Sequence, residues 1–224
     1  MTKPAARRQR ARIVLVEDHP VTRTGLAQLL SAVNDLQVCG QAATAAEAMQ
    51  TVERSKPDLV ITDISLVGPS GLELIKNLAA RFPGLPMLVL STHDESLYAE
   101  RALHAGAKGY LMKSDTVETI FAAIRQVLLG KIYLSQRMNE RLIGRFARGA
   151  GTAAGSEAEL LSDRELEIFE LIGRGRSTAQ IAAALRLHRS TVATHRTNIQ
   201  EKLHAESLSE LTRHAFEWVQ REGS

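Results

Sequence analysis

Leu59-Val60-Ile61-Thr62-Asp63 is an apolar run closed by a carboxylate. Two further runs end in charge: Ile13-Val14-Leu15-Val16 is followed by Glu17-Asp18, and Tyr110-Leu111-Met112 by Lys113. Runs this short and this rich in Val, Ile and Leu suit strands buried on both faces. In a parallel sheet the strand C-termini share one edge, and open α/β folds place their sites there. Three carboxylates and an ammonium gathered at that edge need a cation or an anion to relieve the repulsion. Mg²⁺ and a phosphoryl group would do both.

Working outward, strand candidates at 12–17, 36–42, 58–63, 86–92 and 108–112 alternate with helical stretches near 20–32, 45–55, 70–82, 95–105 and 115–129. Strict βα alternation predicts a parallel sheet with helices on both faces. The expected class is α/β, a flavodoxin-like, doubly wound, five-stranded sheet over 11–130. A partly helical linker is expected over 131–158, with a basic amphipathic helix at 134–148 and a Gly/Ala-rich stretch from Gly149. A second, all-α domain is expected over 159–224. Capping boxes mark helix starts at Thr44/Glu47, Ser70/Glu73, Ser162/Glu165, Ser177/Gln180 and Ser207/Glu210, with Asp115/Glu118 a related pair. Pro20 suits the first turn of helix 1, with His19 shaping the loop before it rather than ligating a metal.

The apolar runs fall far short of the ~20 residues needed to span a bilayer. Arg7, Arg8, Arg10 and Arg12 precede no apolar signal segment, so a cytoplasmic, non-membrane protein is expected. Cys39 is the only cysteine, which excludes an intramolecular disulfide and predicts a small buried apolar side chain. The net charge of +3 is too small to argue a nucleic-acid partner, but its distribution is informative. Residues 171–200 contain no Asp or Glu, yet hold Arg174, Arg176, Arg186, Arg189 and Arg196. Acids flank this segment on both sides, so a basic surface is confined to one stretch of the second domain.

Residues 12–129 resemble the receiver domain of two-component response regulators. The markers come in order: Glu17-Asp18, Asp63, Ser91, Tyr110 and Lys113, with Gly106-Ala107-Lys108-Gly109 leading into the last two. The resemblance implies that Asp63 is the phospho-acceptor, a carboxylate nucleophile that forms an acyl phosphate. It implies Mg²⁺ held by Asp18, Asp63 and the Ser65 carbonyl, with Glu17 acting through water. Lys113 would meet a phosphoryl oxygen, Ser91 would move to bond another, and Tyr110 would follow inward. The loop Ser65-Leu66-Val67-Gly68-Pro69 departs from the pattern, with Val67 in the usual place of proline. Ser114, not Pro, follows Lys113.

Residues 162–211 resemble the LuxR-type helix-turn-helix of NarL/FixJ regulators. The match runs through Leu161-Ser162, Arg164-Glu165, Gly175, Ile181-Ala182, Thr191-Val192, His195, Asn198-Ile199 and Lys202-Leu203. Val192, Ile199 and Leu203 recur at i, i+7 and i+11, the core side of a recognition helix over 190–203. Arg189, Ala193, Thr194, Arg196 and Thr197 are left on its outer face or rim. The resemblance adds Thr191 and His195 as DNA contacts, and Ser177 and Thr178 as phosphate contacts at a helix N-terminus. Relatives commonly carry Lys where Ala193 stands, so affinity would rest on Arg189 and Arg196.

The implied protein is a response regulator. A sensor histidine kinase would phosphorylate Asp63, and homodimers would bind double-stranded operator DNA, with RNA polymerase a further candidate partner. Leu208, Leu211, Ala215, Trp218 and Val219 form the expected dimer face. No enzymatic turnover is expected beyond self-phosphorylation and slow autodephosphorylation at Asp63. Two alternatives remain at this point. One is a hydrolase with an Asp63 nucleophile, although Ser65 stands where the second acid would be needed. The other is an adaptor whose helical domain binds protein, not DNA.

Overall fold

The computed structural model describes residues 10–147 and 160–222. The Gly/Ala-rich part of the expected linker therefore lies outside the described residues. Five parallel strands form one sheet in the order β2-β1-β3-β4-β5. They are β1 (Ala11–Val16), β2 (Leu36–Ala42), β3 (Leu59–Thr62), β4 (Met87–Ser91) and β5 (Gly109–Met112). Glu17, Asp63 and Lys113 each stand one residue beyond their strands, where the last ladder bond has been made. Five helices connect and follow the strands: α1 (Pro20–Ser31), α2 (Ala45–Ser55), α3 (Gly71–Arg81), α4 (Glu95–Ala105) and α5 (Val117–Leu128).

Strand alternation divides the core into two layers. Ile13, Leu15, Leu59, Ile61, Leu88, Leu90 and Leu111 face α1 and α5, meeting Leu30, Ile120, Ile124 and Val127. Val14, Val16, Val60, Val89 and Tyr110 face the other way, toward Val52, Leu74, Leu78 and Ala102. Neither side of the sheet is left for water, as the unbroken apolar runs require. Tyr133 bridges the outer edge of β5, accepting from Tyr110 N–H and donating to the Lys108 carbonyl. A paired edge of this kind offers less to a foreign strand. The chain then forms the expected basic helix, α6 (Gln136–Ala147), with Met138 buried.

Side-chain caps start most helices where the sequence placed them. Thr44, Ser70, Ser162, Ser177 and Ser207 each accept from the backbone N–H three residues on. The Asp115/Glu118 expectation is displaced by one residue. Thr116 caps α5 through the Thr119 N–H, while Asp115 reaches back to the Met112 N–H. Cys39 is half-buried, not fully buried, because it lies in a bulge. Ile13 pairs with Val38 and Val14 with Gly40, which leaves Cys39 unpaired in the register.

The C-terminal domain contains α7 (Asp163–Gly173), α8 (Thr178–Ala184), α9 (Arg189–Lys202) and α10 (Leu208–Glu222). Val192 and Ile199 of α9 are fully buried, as their spacing predicts. The expected dimer face on α10 is corrected. Leu211, Ala215 and Trp218 are buried against α7, where Trp218 meets Phe169 at 5.5 Å between ring centroids. The apolar period of α10 marked the inner face of this domain. Leu208 and Phe216 are its exposed apolar residues. Gly173 allows the close α7–α10 approach, since a Cβ there would collide with the Ala215 carbonyl oxygen.

Gly71 is required in the same steric sense. A Cβ at Gly71 would overlap the backbone of Asp63 and Ile64, whereas one at Gly25, exposed in α1, would meet nothing. Gly25→Ala should stabilise the protein by about 0.5–1 kcal/mol through backbone entropy. Gly71→Ala should destabilise it by about 1–3 kcal/mol through overpacking. Urea unfolding midpoints check both, and equal shifts in one direction would contradict the packing account.

Candidate functional site

The C-terminal edge of the sheet brings together Glu17 and Asp18 after β1, Asp63 after β3, Ser91 ending β4 and Lys113 after β5. All but Lys113 are buried. Asp63 is 3% exposed, and each of its oxygens is engaged. Oδ1 accepts from the Ile64 N–H at 2.6 Å and the Ser91 hydroxyl at 2.7 Å. Oδ2 accepts from Lys113 Nζ at 2.8 Å. Lys113 also reaches Glu17 Oε2 at 2.5 Å. Burial alone would lower the Lys113 pKa, but the Asp63 and Glu17 carboxylates outweigh it and hold the ammonium above its ordinary value.

The donor set fits a hard divalent cation. Glu17, Asp18 and His19 offer ligand atoms within 4.8 Å of one another. Asp18 Oδ1 is buried and lacks a hydrogen bond, although the exposed His19 ring lies 2.8 Å away. The ring is poorly aligned for a hydrogen bond, so the oxygen can still accept a further partner. Oxygen-rich acidic donors of this kind are what Mg²⁺ takes.

Ser91, Tyr110 and His93 form a second layer. Tyr110 is already inside, 1% exposed, so the expected inward swing has no outward starting point here. Its hydroxyl donates to the His93 carbonyl at 2.8 Å. Burial pushes its phenol well above the usual pKa. The His93 ring bridges two groups. Nε2 lies 2.7 Å from Ser65 Oγ, and Nδ1 lies 3.1 Å from Glu170 Oε2 on α7. Burial would lower the His93 pKa, and the Glu170 hydrogen bond reverses that to a net rise.

Sequence reasoning missed this contact between the domains. Tyr98 also donates to Glu170, at 2.8 Å. Asp163 pairs with Lys76 at 2.8 Å and Arg101 at 2.9 Å. Arg164 donates to the Gly68 carbonyl at 2.7 Å, on the loop after Asp63. Arg186 pairs with Asp18 at 3.2 Å. One trace was present in the sequence: Asp163, Glu167 and Glu170 form a polar stripe along α7. Periodicity assigns such a stripe to solvent, and the receiver covers it instead.

On α9, Arg189, Thr191, Ala193, Thr194 and Thr197 are exposed, while His195 and Arg196 are half-buried. Arg196 Nη1 donates to Thr178 Oγ1 at 2.9 Å, which ties it to the N-terminus of α8, capped by Ser177. Burial lowers the His195 pKa, so at neutral pH its ring is an uncharged polar group. Thr194 and Thr197 donate to the Ser190 and Ala193 carbonyls one turn back. Their methyls and acceptor lone pairs remain for other partners.

Residues 13–125 match the response regulator receiver domain, and residues 159–215 match the luxR family of bacterial regulatory proteins. The oxygen regulatory protein NreC of Staphylococcus carnosus is 36% identical over 209 residues, 92% of this chain and 96% of that protein. The response regulator ChrA of a heme-sensing two-component system is 30% identical, with a TM-score of 0.51, over 95% of this chain and 98% of that one. A LuxR-family response regulator from Aurantimonas is 31% identical, with a TM-score of 0.58, over 62% of this chain and 99% of that one. The chain belongs to the NarL/FixJ response regulators, with a receiver domain joined to a LuxR-type DNA-binding domain. It is a phosphorylation-dependent transcription regulator, not an enzyme in the ordinary sense.

Glu167 gives this interface a pH dependence. It is fully buried, Oε1 has no hydrogen-bond partner, and Oε2 takes Arg164. Burial outweighs Arg164 and raises its pKa from 4.5 to about 7. A folded value above the unfolded one means that protonation stabilises the folded form. That contribution is complete below about 4.5 and is lost as pH rises through about 7. Glu167→Gln, neutral throughout, should flatten this loss by about 1–3 kcal/mol between pH 5 and 8. Urea-unfolding free energies of both proteins at the two pH values check it, and parallel pH profiles would refute it.

Proposed function

We propose that Asp63 accepts a phosphoryl group from a sensor histidine kinase in the cytoplasm. The observation that carries this reading is the buried Asp63 carboxylate held between the Ser91 hydroxyl and the Lys113 ammonium. An Asp63 oxygen attacks phosphorus, the phosphorus–nitrogen bond of the donor phosphohistidine breaks, and the electron pair leaves with the imidazole. Lys113 receives one phosphoryl oxygen. Ser91 turns its hydroxyl from Asp63 Oδ1 to another. Asp18, Asp63 and the Ser65 carbonyl would hold Mg²⁺ directly and Glu17 through water, and the bound cation would supply neutralising charge at the phosphoryl oxygens. Acetyl phosphate would serve as a small-molecule donor for the same attack, and water would slowly reverse it.

The domains proposed are a receiver at 11–130, a linker at 131–158 and an output domain at 159–224. The output domain would read double-stranded operator DNA by placing α9 in the major groove. Arg189 and Arg196 would supply charge. Thr191, Ala193, Thr194 and Thr197 are small enough to bring the helix close to base edges. His195 would contribute a neutral contact, and Ser177 and Thr178 backbone contacts to phosphate. A homodimer on a two-fold site would use Leu208 and Phe216, the apolar residues α10 leaves exposed.

Asp63→Ala should abolish labelling by acetyl phosphate in the presence of Mg²⁺ while leaving the circular dichroism spectrum unchanged. Full-stoichiometry label in that variant would refute the acceptor assignment.

Arg196→Ala should weaken DNA binding and leave Asp63 labelling intact. If Arg196 meets phosphate, affinity should fall by a similar factor on all sequences, and the slope of log K against log salt should shrink by about one per protomer. If it meets guanine, discrimination should fall by roughly 1–3 kcal/mol at one base pair of each half-site. Salt titrations on operator and random DNA separate the two, and unchanged binding would count against both.

A further inference from the structure

Arg186 belongs to the output domain, yet its guanidinium lies 3.2 Å from Asp18 Oδ2 in the receiver. It occupies the turn after α8 with a left-handed backbone, φ 51°. A non-glycine residue there is held by its surroundings against a cost of roughly 1–2 kcal/mol. The turn is fixed by the Leu187 N–H on the Ala182 carbonyl at 2.8 Å and the Arg186 N–H on the Ala183 carbonyl at 3.3 Å. Arg164 closes the same approach from α7, donating to the Gly68 carbonyl. The output domain thus brings a monovalent cation to one oxygen of a buried carboxylate whose other oxygen faces only the exposed His19 ring, without a hydrogen bond.

We propose that Arg186 is a tethered competitor of the divalent cation: it neutralises Asp18 while the domains are closed, and Mg²⁺ binding to Asp18 displaces it and loosens the closure. The inference rests on the reading of Asp18 as a metal ligand. A cation bound to Asp18 would lie within a few ångströms of a guanidinium on the same carboxylate, and like charges at that separation repel. Linkage makes the effect reciprocal. Whatever factor Arg186 takes from Mg²⁺ affinity, Mg²⁺ takes from the closed arrangement. The cation therefore acts as an opening ligand before any phosphoryl group arrives. Arg186 is 43% exposed on its side chain, so the factor is that of a partly screened pair, not of a buried one.

The test is isothermal titration of Mg²⁺ into the full-length, unphosphorylated chain at fixed ionic strength, for wild type, Arg186→Ala, Arg186→Gln and Arg186→Lys. Alanine keeps the left-handed backbone under similar strain and removes only the charge and stem. If it fails to fold, glutamine serves in its place. Arg186→Ala or Arg186→Gln should tighten Mg²⁺ binding roughly three- to tenfold, with Arg186→Lys between them and wild type. In parallel, spin labels at Gln28→Cys and Glu206→Cys, in a Cys39→Ser background, should report a longer interdomain distance when Mg²⁺ is added without a phosphodonor. Equal Mg²⁺ affinity in wild type and the neutral variants overturns the competition and leaves the cation site standing. No Mg²⁺ binding in any of the proteins overturns the cation site itself, and this inference with it.

Discussion

Three carboxylates held out of water at one sheet edge are the constraint on which the rest of the molecule depends. Glu17, Asp18 and Asp63 arrive there because parallel strands end together, and each is buried by the loops and helices around it. Buried like charges persist only when paired. Lys113 joins two of them, Glu17 and Asp63, and the third, Asp18, meets the His19 ring at one oxygen and Arg186 at the other. The fold therefore keeps a place that is incompletely compensated, and its compensation would change if a cation or phosphoryl group entered, as proposed. A regulator needs such a place. A carboxylate cluster fully satisfied by fixed protein groups would have no reason to respond.

From that edge a contiguous set of hydrogen bonds reaches the output domain. Asp63 holds Ser91, Ser91 Oγ accepts from the His93 N–H, and the His93 ring meets Glu170 on α7. Tyr110 grips the His93 carbonyl, and Tyr98 stacks on the ring and bonds Glu170 as well. If Ser91 left Asp63 for a phosphoryl oxygen, as proposed, the residue two positions on would be the one that touches the output domain. The distance between chemistry and interface is therefore one short loop. Tyr110 is joined to the same path by a hydroxyl already bonded to the His93 carbonyl.

The receiver was legible because its signals are local. Strand runs, caps and charged strand ends all follow from spacing along the chain, and Asp63, Ser91 and Lys113 meet as strand ends must. The core face of α9 was legible for the same reason: Val192 and Ile199 recur at a helical period. Period alone does not name the object a face meets. The apolar stripe of α10 was read as a dimer face and is the domain's own core against α7. The polar stripe of α7 reads as solvated and is covered by the receiver. Cys39 lost full burial to a bulge, which no propensity reports. Arg186 carried no signal beyond its charge, because its partner lies 168 positions away in another domain.

Helix α7 joins the receiver contacts to α9, the proposed DNA-reading helix. One of its faces gives Asp163, Glu167 and Glu170 to the receiver side. Glu165 closes the capping box with Ser162 and also binds Lys202, the last residue of α9, at 2.6 Å. Burial would raise the Glu165 pKa, and the Lys202 and Ser162 bonds overcome that and hold it ionised. Glu167, by contrast, is buried with an oxygen unpartnered and carries a desolvation cost. Helix α7 thus holds α9 through the Glu165–Lys202 pair and the receiver through Asp163, Arg164 and Glu170, so a displacement of α7 against the receiver would carry α9 with it.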